Sequence, residues 1–571
     1  MTRNRVGGRA RVGRSGGPEA KRELAVDSLP ELLARAEPTE DRPFGELIER
    51  LDARGRLQSV RPAHNAVPVA AGGAPGPDLG SVHIGGVAFD SRHVRGPDIF
   101  VAIPGAHADG HDFLAAAASA GAVAAIVDHP VAGSPLPQIV VDDTRKALAT
   151  TAAWWYGSPS RSLGVVGITG TDGKTTTAYM AAAVLESAGI STGVITTTAT
   201  TIGDVRRANR EHVTTPQAPE LQRAMRAMVL AGNEAAVVET TSHGLALSRV
   251  AEIAYDMAIF TNLSHEHLEL HGTFEAYREA KLSLFRGLAA TGLAKELSRP
   301  WPRTAIVNMD DPAAGLFLAA AADAGAGAIT YGTSAEAAVR AVAIEETGEF
   351  LRVDVATPRW HSPVDLRLAG RFNAHNALAA VALGEALELD RDQIRAGLAG
   401  LTGVPGRMER VDCGQPFGVI VDYAHSPASL QKVLDLMGPV ASGQGGGLIA
   451  VFGSAGERDV QKRPIMGRIA GERCRLVVVT DEDPRGEGSQ KILDEIAAGA
   501  EAAGRRRGVD LLCIADRREA IAAACGLARA GDVVLLAGKG HEQSIIMGDG
   551  QRDWDERSEA IRALELLGYR S

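Results

Sequence analysis

The stretch that decides the fold is "VVGITGTDGKTTTAYMAAAVLESAG", residues 165–189. Apolar residues over 163–168 predict a buried strand, and the apolar spacing in the second half of the stretch predicts a helix. Gly170 and Gly173 lie in the turn between them. A backbone with so few side chains can point its N–H groups at phosphate oxygens, so the stretch predicts a phosphate site.

The residues that follow the turn supply the rest of such a site. Lys174 brings a positive charge, and Thr175 or Thr176 brings a hydroxyl for Mg²⁺. Ile168 stands where the generic phosphate-loop pattern has its first glycine, so the match fails by one position. The order of strand, loop and helix still favours phosphate binding over a chance glycine turn.

The rest of the chain repeats an alternation of strand-like and helix-like segments. At 571 residues it is too long for one core. We predict an α/β protein with three domains: a small α/β N-terminal domain, a central P-loop domain with a parallel sheet, and a C-terminal doubly wound, Rossmann-like domain. The predicted boundaries are a disordered tail over 1–41 and domains over 42–158, 159–399 and 400–571.

Charge, cysteines and hydropathy exclude several classes of protein. A net charge of −10 argues against a nucleic-acid partner. The four cysteines form neither a C-x-x-C pair nor a zinc-ligand spacing, as is typical of a reducing compartment. The sequence contains no run of 18 apolar residues, so we predict no membrane span. The basic start "MTRNRVGGRARVGRSGG" lacks the apolar segment of a secretory signal. We therefore expect a cytoplasmic protein, and separately we predict that it is a monomer.

Ten further motifs occur in a fixed order. They are "DSRHVRGPDIFVAIPGAHADGHDF", "VTTPQAPELQ", "ETTSHGLALSRV", "FTNLSHEHLELHGTFEAYREAKLSLF", "GRFNAHNALAA", "GRMERV", "VDYAHSPASL", "FGSAGERDVQKRPIMG", "TDEDPRGE" and "AGKGHEQ". With "GTDGKTT" they resemble the Mur ligase family, in the form that makes the UDP-linked tripeptide, over about residues 85–571. The resemblance implies a UDP-binding N-terminal domain, a central ATP-binding ligase domain and a C-terminal ligase domain that binds an amino acid.

The family's chemistry implies roles for named residues. ATP phosphorylates a carboxylate to an acyl phosphate, which an amine then attacks. By resemblance the catalytic residues are Lys174, Glu239, His267, Lys281 and Arg407. The resemblance also implies two metal sites: Thr175 and Glu239 hold the first Mg²⁺, His267 belongs to the second site, and Lys281 is a metal ligand in the form of a carbamate. From the residues alone, Glu239 is notable because it ends the apolar run "AAVVE", and "HEHLELH" lacks the H-E-x-x-H spacing of a zinc site.

The resemblance also assigns the binding residues. Those implied for ATP are Gly170, Thr171, Asp172, Gly173, Lys174, Thr175, Thr176, Asn373, Asn376, Arg407 and Asp422. Those implied for the UDP-muramoyl-dipeptide are Ser91, the turn "GAHADG", Thr214, Thr215, Thr241 and Arg249. Those implied for the incoming amino acid are Arg458, Glu482, Asp483, Arg485, Gly538 and Glu542. The sequence departs from the family where Glu266 and Glu269 replace aspartates, and because their charge is kept we expect activity to survive.

By resemblance, the loop "TDEDPRGE", residues 480–487 and here called the selector loop, determines which amino acid is added. Arg485 stands where relatives that use meso-diaminopimelate carry the arginine for its distal carboxylate. Asp483 replaces the usual asparagine, and this anion favours an ammonium group instead. Diaminopimelate carries both groups, so it satisfies both residues. Alternatively Asp483 pairs with Arg485 and neutralises it, which leaves room for L-lysine or L-ornithine.

The expected function is therefore ATP- and Mg²⁺-dependent ligation of a diamino acid, with meso-diaminopimelate favoured, to the D-glutamate of UDP-MurNAc-L-Ala-D-Glu for peptidoglycan. The same ligation with L-lysine or L-ornithine is the alternative. A folylpolyglutamate-type ligase is disfavoured by the additional N-terminal domain and by the "DEDPR" sequence.

Overall fold

The computed structural model describes residues 28–61, 63, 82–105, 108–209, 214–264, 268–289, 295–346 and 350–570. Three sheets, of five, eleven and six strands, form the centres of three α/β units. They fall inside the three predicted domains, whose boundaries stay predictions. Among the described residues, no helix combines the length and the apolar character that crossing a bilayer requires.

The N-terminal unit is a five-stranded sheet with helices. Its elements are α1 (Leu29–Arg35), β1 (Arg42–Pro43), α2 (Phe44–Ala53), β2 (Leu57–Arg61), β3 (His83–Ile84), β4 (Gly86–Ala88), β5 (Asp98–Val101), α3 (Leu114–Ser119), β6 (Ala124–Val127), β7 (Gln138–Val141) and α4 (Thr144–Trp155). The sheet order is β2-β7-β6-β5-β4, parallel except for β2, and β1 pairs separately with β3. Strands β5, β6 and β7 are buried along their whole length.

The prediction of a disordered tail to residue 41 is wrong for its last part. Residues 28–41 are described, and helix α1 packs on the central unit with Leu29 buried in that unit's core. Glu37, just beyond the helix, binds Arg223 at 2.9 Å. Because the sequence before residue 28 is polar, the few apolar residues that pack this helix against the central unit were not recognised. Residues 1–27 lie outside the described residues.

The central unit contains the P-loop stretch. Its strands are β8 (Gly164–Thr169), β9 (Thr192–Ile195), β10 (Ala199–Ile202), β11 (Val205–Ala208), β12 (Ala235–Glu239), β13 (Met257–Phe260), β14 (Thr304–Asn308), β15 (Gly327–Gly332), β16 (Val339–Glu346), β17 (Leu351–Ala356) and β18 (His361–Leu366). Its helices are α5 (Lys174–Ser187), α6 (Ala218–Leu230), α7 (Ser242–Ala246), α8 (Leu268–His271), α9 (Phe274–Arg286), α10 (Ala314–Asp323), α11 (Phe372–Ala386) and α12 (Arg391–Gly400).

The predicted parallel sheet is present, with antiparallel additions at both edges. The strand order is β11-β10-β9-β12-β8-β13-β14-β15-β16-β17-β18. Pairing is parallel from β9 to β16 and antiparallel outside these strands. Strand β8 is buried at every residue between β12 and β13, so the P-loop at its end lies at the centre of the sheet.

The C-terminal unit is doubly wound, as predicted. Its elements are β19 (Glu409–Arg410), β20 (Gly418–Asp422), α13 (Pro427–Gly443), β21 (Leu448–Phe452), α14 (Lys462–Arg473), β22 (Leu476–Val479), α15 (Ser489–Ala502), β23 (Leu511–Cys513), α16 (Arg517–Leu527), β24 (Val533–Ala537), β25 (Ser544–Met547), β26 (Gly550–Asp553) and α17 (Glu556–Leu566). The order β19-β20-β24-β21-β22-β23 is parallel from β20 to β23. Two apolar cores cover its two faces.

Candidate active site

The P-loop connects β8 to α5 through two glycines with left-handed φ angles. Gly170 has φ +150° and Gly173 has φ +83°. A Cβ at Gly170 would collide with the Thr261 hydroxyl, and one at Gly173 would come within 2.5 Å of Asn376 Oδ1. Both glycines are thus required by backbone angle and by close packing.

Lys174 begins helix α5 and folds over the loop. Its Nζ donates to the carbonyl oxygen of Gly170 at 3.1 Å and to that of Thr171 at 2.7 Å. These bonds hold the ammonium group beside the N-terminus of α5, where the helix dipole also favours an anion. Both features suit a phosphate ligand.

Thr175 and Glu239 meet beneath the loop. The Thr175 hydroxyl donates to Glu239 Oε2 at 3.0 Å, and the backbone N–H of Thr197 donates to the same oxygen at 3.0 Å. Glu239 is 2% exposed at the end of β12, which runs parallel beside β8. The pair offers a hydroxyl and a carboxylate, the oxygen donors that Mg²⁺ prefers, so these residues fit the implied ion.

Lys281 is a buried neighbour of the P-loop. It lies on α9 with 1% of its surface exposed, and its Nζ donates to the carbonyl oxygen of Gly170 at 2.6 Å. The ammonium group also lies 4.4 Å from the centre of the Tyr277 ring. A solvated position on the helix surface is therefore excluded. His267 and Glu266 lie outside the described residues, as does the side chain of Glu269.

Helix α11 packs against the other side of the loop. Asn376 Oδ1 accepts from the Thr177 hydroxyl at 3.1 Å, and Asn376 Nδ2 donates to Asn373 Oδ1 at 3.0 Å. The two asparagines share one face of the helix, as their spacing predicts. Their assignment to the adenine region stays a prediction.

Arg407 and Asp422 lie together in the C-terminal unit. The Arg407 guanidinium stacks 4.7 Å from the centre of the Tyr423 ring. Asp422 ends β20 and accepts backbone N–H groups from Met408 and Ala424, each at 2.8 Å. Burial raises the pKa of Asp422 above its ordinary value, although the Arg407 charge acts in the opposite direction.

An ion pair joins the P-loop to the C-terminal unit. Lys432, on α13, donates from Nζ to Asp172 Oδ2 at 2.8 Å. Burial raises the pKa of Asp172, but the hydrogen bond and charge of Lys432 outweigh it, so the pKa lies below the ordinary value. The pair spans two units and was not anticipated, because nothing in the sequence around Lys432 marks it.

The residues predicted for the muramoyl-dipeptide extend away from Glu239. The Thr215 hydroxyl donates to the Glu239 carbonyl oxygen at 3.1 Å and lies 2.9 Å from the Thr241 hydroxyl. Arg249 Nη1 donates to the Thr215 carbonyl oxygen at 2.7 Å, and Thr214 accepts from the Thr197 hydroxyl at 3.0 Å. Burial lowers the pKa of Arg249, whose side chain is half-buried.

Ser91 lies on a different sheet from these residues. It begins a 3-10 turn over Ser91–His93 after β4, and it is half-buried. Of the predicted turn "GAHADG", residues 106 and 107 lie outside the described residues, and Gly105 donates its N–H to the Ala108 carbonyl oxygen at 2.9 Å. The uridine-diphosphate role of this region stays a prediction.

The proposed pairing of Asp483 with Arg485 is absent. Asp483 Oδ1 instead accepts from Lys539 Nζ at 2.8 Å and from the backbone N–H of Ile546 at 2.9 Å. The Lys539 side chain has no exposed surface and the Asp483 side chain is 6% exposed, so this is a buried ion pair. Lys539 also binds Glu542, which accepts from the Tyr423 hydroxyl at 3.1 Å. Lys539 was missed, although its place between two glycines directly after a buried strand was a usable signal.

The main chain of Arg485, rather than its side chain, makes the contacts that fix this residue. It has φ +54°, and its N–H donates to the Ile546 carbonyl oxygen at 3.0 Å. With the residues that the structure describes, its guanidinium makes no ion pair, and Nε is buried without a hydrogen-bond partner.

The other residues predicted for the amino acid differ in exposure. Glu482 is 7% exposed, and its Oε2 is likewise buried without a partner in the described part of the chain. A Cβ at Gly538 would lie 3.3 Å from that oxygen, which brings Glu482 and Gly538 together. Arg458 is exposed, in the exposed stretch 457–460 of the loop that follows β21.

Known proteins resemble the chain along nearly its whole length. The Mur ligase family catalytic domain matches residues 83–156, the Mur ligase middle domain matches 168–384, and the Mur ligase glutamate ligase domain matches 406–540. The UDP-N-acetylmuramyl-tripeptide synthetase of Roseiflexus sp. (strain RS-1) is 46% identical over 492 residues, which are 85% of this chain and 95% of that protein.

Two proteins named as diaminopimelate ligases extend the comparison. The UDP-N-acetylmuramoyl-L-alanyl-D-glutamate–2,6-diaminopimelate ligase of Geobacter metallireducens is 41% identical, over 85% of this chain and 95% of that one. A solved structure with the same ligase name has a TM-score of 0.60 at 27% identity and covers 93% of this chain and 100% of its own. With three family regions in order and a relative so similar over this length, the chain belongs to the Mur ligase family.

Proposed function

We propose that this protein uses ATP to join meso-diaminopimelate to the D-glutamate of UDP-MurNAc-L-Ala-D-Glu, a step of peptidoglycan synthesis. The observation that carries the proposal is the convergence at the P-loop, where Thr175 bonds to buried Glu239 and Lys281 bonds to the Gly170 carbonyl. Relatives with 37–41% identity are named as diaminopimelate ligases, which supports the choice of reaction.

The phosphoryl transfer needs charge neutralisation more than covalent chemistry from the protein. Lys174 and the N-terminus of α5 would hold the phosphate oxygens of ATP. Thr175 and Glu239 would hold Mg²⁺, which would neutralise charge on the phosphate oxygens. Arg407 would contact the phosphate that is transferred. Because Arg407 belongs to another unit, catalysis would need that unit to be closed over ATP, and the Lys432–Asp172 ion pair would help to hold it there.

The acceptor carboxylate would lie close to this centre. Thr215 bonds to the Glu239 backbone and to Thr241, and Arg249 bonds to the Thr215 backbone. An arginine whose positive charge is partly desolvated favours an anionic partner such as the dipeptide carboxylate. Attack of the carboxylate oxygen on the γ-phosphorus of ATP would form the acyl phosphate and release ADP. Attack of the diamino acid's amine on the acyl carbon would then form the amide bond and release phosphate, while the amine loses its proton to solvent.

The selector loop supports diaminopimelate over lysine. Asp483 pairs with Lys539, a cation that it shares with Glu542, so Asp483 is not available to pair with Arg485 and neutralise it. The charge of Arg485 then suits the distal carboxylate of diaminopimelate, which lysine and ornithine lack. Glu482, whose Oε2 is buried without a partner among the described residues, suits an ammonium group of the same substrate. Ligation of L-lysine or L-ornithine is the second candidate, favoured only by the acidic residues of the loop.

The test is phosphate release by the purified protein with ATP, Mg²⁺ and UDP-MurNAc-L-Ala-D-Glu. The amino acid is varied across meso-diaminopimelate, L-lysine, L-ornithine and D-lysine. We expect turnover with meso-diaminopimelate at least tenfold above the others. Turnover with lysine alone would overturn the choice of amino acid, and turnover with none of the four would overturn the proposed reaction. Replacing UDP-MurNAc-L-Ala-D-Glu by a folate acceptor should give no turnover.

Carbamylation of Lys281, the second metal site with His267, the monomeric state and the cytoplasmic location are part of this proposal. Carbamylation would turn the buried ammonium of Lys281 into an anion and so reverse its effect on a nearby cation. Mass spectrometry of the intact protein after rapid trapping of the carbamate would detect the modification.

A further inference from the structure

The N-terminal unit contains a second group of ligand-type side chains, far along the chain from the P-loop. His111 lies in the 3-10 turn Gly110–Phe113 before α3, and Asp128 and His129 follow β6 directly. Their ligand atoms all lie within 4.8 Å of one another. The predicted function uses none of these three side chains. We propose that they form a binding site for a divalent transition metal of the zinc class.

The distances are close to those of a metal site. His111 Nε2 lies 3.3 Å from Asp128 Oδ1, and His129 Nδ1 lies 2.6 Å from the same oxygen. Two ligands of a tetrahedral zinc ion, each about 2.0–2.1 Å from the metal, lie about 3.3 Å apart. The His111–Asp128 edge therefore has the required length. Only His129 must move outward, and its side chain is 60% exposed and can rotate.

His111 is oriented as a metal ligand by a carboxylate behind it. Its side chain is 4% exposed, and Nδ1 lies 2.6 Å from Asp109 Oδ1. That contact favours the proton on Nδ1 and leaves the lone pair on Nε2, facing Asp128 and His129. A carboxylate on the far nitrogen is the usual partner of a metal-bound histidine. The contact that the Nε2 lone pair makes now is a long one, 3.3 Å from the backbone N–H of Asp128.

The donor set indicates the kind of metal. Two imidazole nitrogens and one carboxylate suit zinc, copper, nickel or cobalt, whereas Mg²⁺ and Ca²⁺ take oxygen ligands. The His111 and His129 rings also stack, with centres 4.2 Å apart and planes 24° apart. The open fourth position would be taken by water.

A zinc-retention experiment tests the proposal. Full-length protein without a histidine tag is stripped with a chelator and given one equivalent of Zn²⁺ in excess Mg²⁺, which competes for the oxygen ligands at Glu239. Bound zinc is measured by elemental analysis after gel filtration, and Co²⁺ in place of Zn²⁺ reports tetrahedral geometry by its visible spectrum. Asp128→Asn and His129→Ala change partly or largely exposed groups, so they should keep the fold.

A matched control comes from the central unit. His361 pairs with Asp354 at 3.0 Å with an exposure similar to that of His129, but it lacks a second histidine. We expect about one equivalent of zinc in the wild type and in His361→Ala. Asp128→Asn and His129→Ala should retain at least tenfold less. Equal retention in the wild type and these two variants, or no zinc retained by the wild type, would overturn the proposal.

Discussion

Replacing Lys539 by methionine tests the buried ion pair that separates the two interpretations of the selector loop. Methionine keeps an unbranched chain of similar length but removes the charge that faces Asp483. At 2.8 Å and an effective dielectric constant of about 20, the gross attraction is about 6 kcal/mol. Desolvation offsets part of it, and removal of one partner from a buried pair typically costs about 3–5 kcal/mol. We therefore expect Lys539→Met to lower the free energy of unfolding of the C-terminal unit by about 3–5 kcal/mol.

Hydrogen exchange measures this loss inside one unit of a three-unit chain, where a single unfolding transition is not assured. Strand β24 lies between β20 and β21, so its amides exchange only when the unit opens. A loss of about 3–5 kcal/mol should speed their exchange about 10²- to 10³-fold or more. Lys491→Met is the control, since Lys491 faces Glu495 at 4.0 Å on an exposed helix surface and should cost below about 1 kcal/mol.

A double-mutant cycle supplies the result that would refute the reasoning. Asp483→Asn added to Lys539→Met removes one of the two carboxylates that lose their partner, the other being Glu542, and should restore part of the stability, giving a coupling of at least about 1.5 kcal/mol. If the two losses simply add, Asp483 and Lys539 do not stabilise each other. The claim that Lys539 pairs with Asp483, and so leaves Arg485 available for the substrate, would then be wrong.

Three further outcomes follow from the site. Glu239→Gln should lower kcat about 10²- to 10³-fold with little change in fold, because the amide keeps the size but loses the charge for Mg²⁺; activity within tenfold of the wild type would contradict the metal role. Arg485→Ala should raise KM for meso-diaminopimelate about 30-fold or more and leave KM for ATP within twofold, whereas equal effects on both would show a different role. Lys432→Ala should raise KM for ATP modestly at neutral pH. Because the pKa of Asp172 is lowered, the ion pair is fully formed at every pH above the ordinary carboxyl pKa. The pair is lost as pH falls through the lowered pKa, so the difference in KM for ATP between Lys432→Ala and the wild type should shrink in that range.

The local chemistry of the P-loop was predictable from sequence, because strand, glycine turn and helix are consecutive in the chain. Lys174 and Thr175 were identified in this way. Glu239, 64 residues after Thr175, was notable only because it ends an apolar run, and the structure brings Thr175 and Glu239 to 3.0 Å. Lys281 was different. Its helical spacing alone indicates a solvent-facing lysine, and only the family resemblance placed it beside the phosphate loop, where it lies buried.

Long-range pairing could not be predicted from sequence. The sequence suggested Arg485, two residues away, as the partner of Asp483. The fold instead brings Lys539, 56 positions later and just beyond β24, into contact with Asp483. Parallel strands β22 and β24 end at the same edge of the sheet, so the residues that follow them can meet there. The order of strands and loops in the sequence therefore predicts which charged residues lie at that edge of the sheet. Which of these residues form ion pairs depends on how the loops pack.

A continuous chain of contacts connects the predicted phosphate arginine to the selector loop. Arg407 stacks on Tyr423, the Tyr423 hydroxyl donates to Glu542, Glu542 binds Lys539, and Lys539 binds Asp483. Burial, together with the nearby Glu542 charge, raises the pKa of Tyr423 well above its ordinary value, so the hydroxyl keeps its proton and remains a donor. Since all five residues belong to one unit, closure of that unit over ATP would carry the phosphate arginine and the amino-acid loop together. Correct binding of the diamino acid and correct placement of the transferred phosphate would then be coupled through one network of contacts, in which Lys539 and Asp483 are buried, rather than through two independent movements.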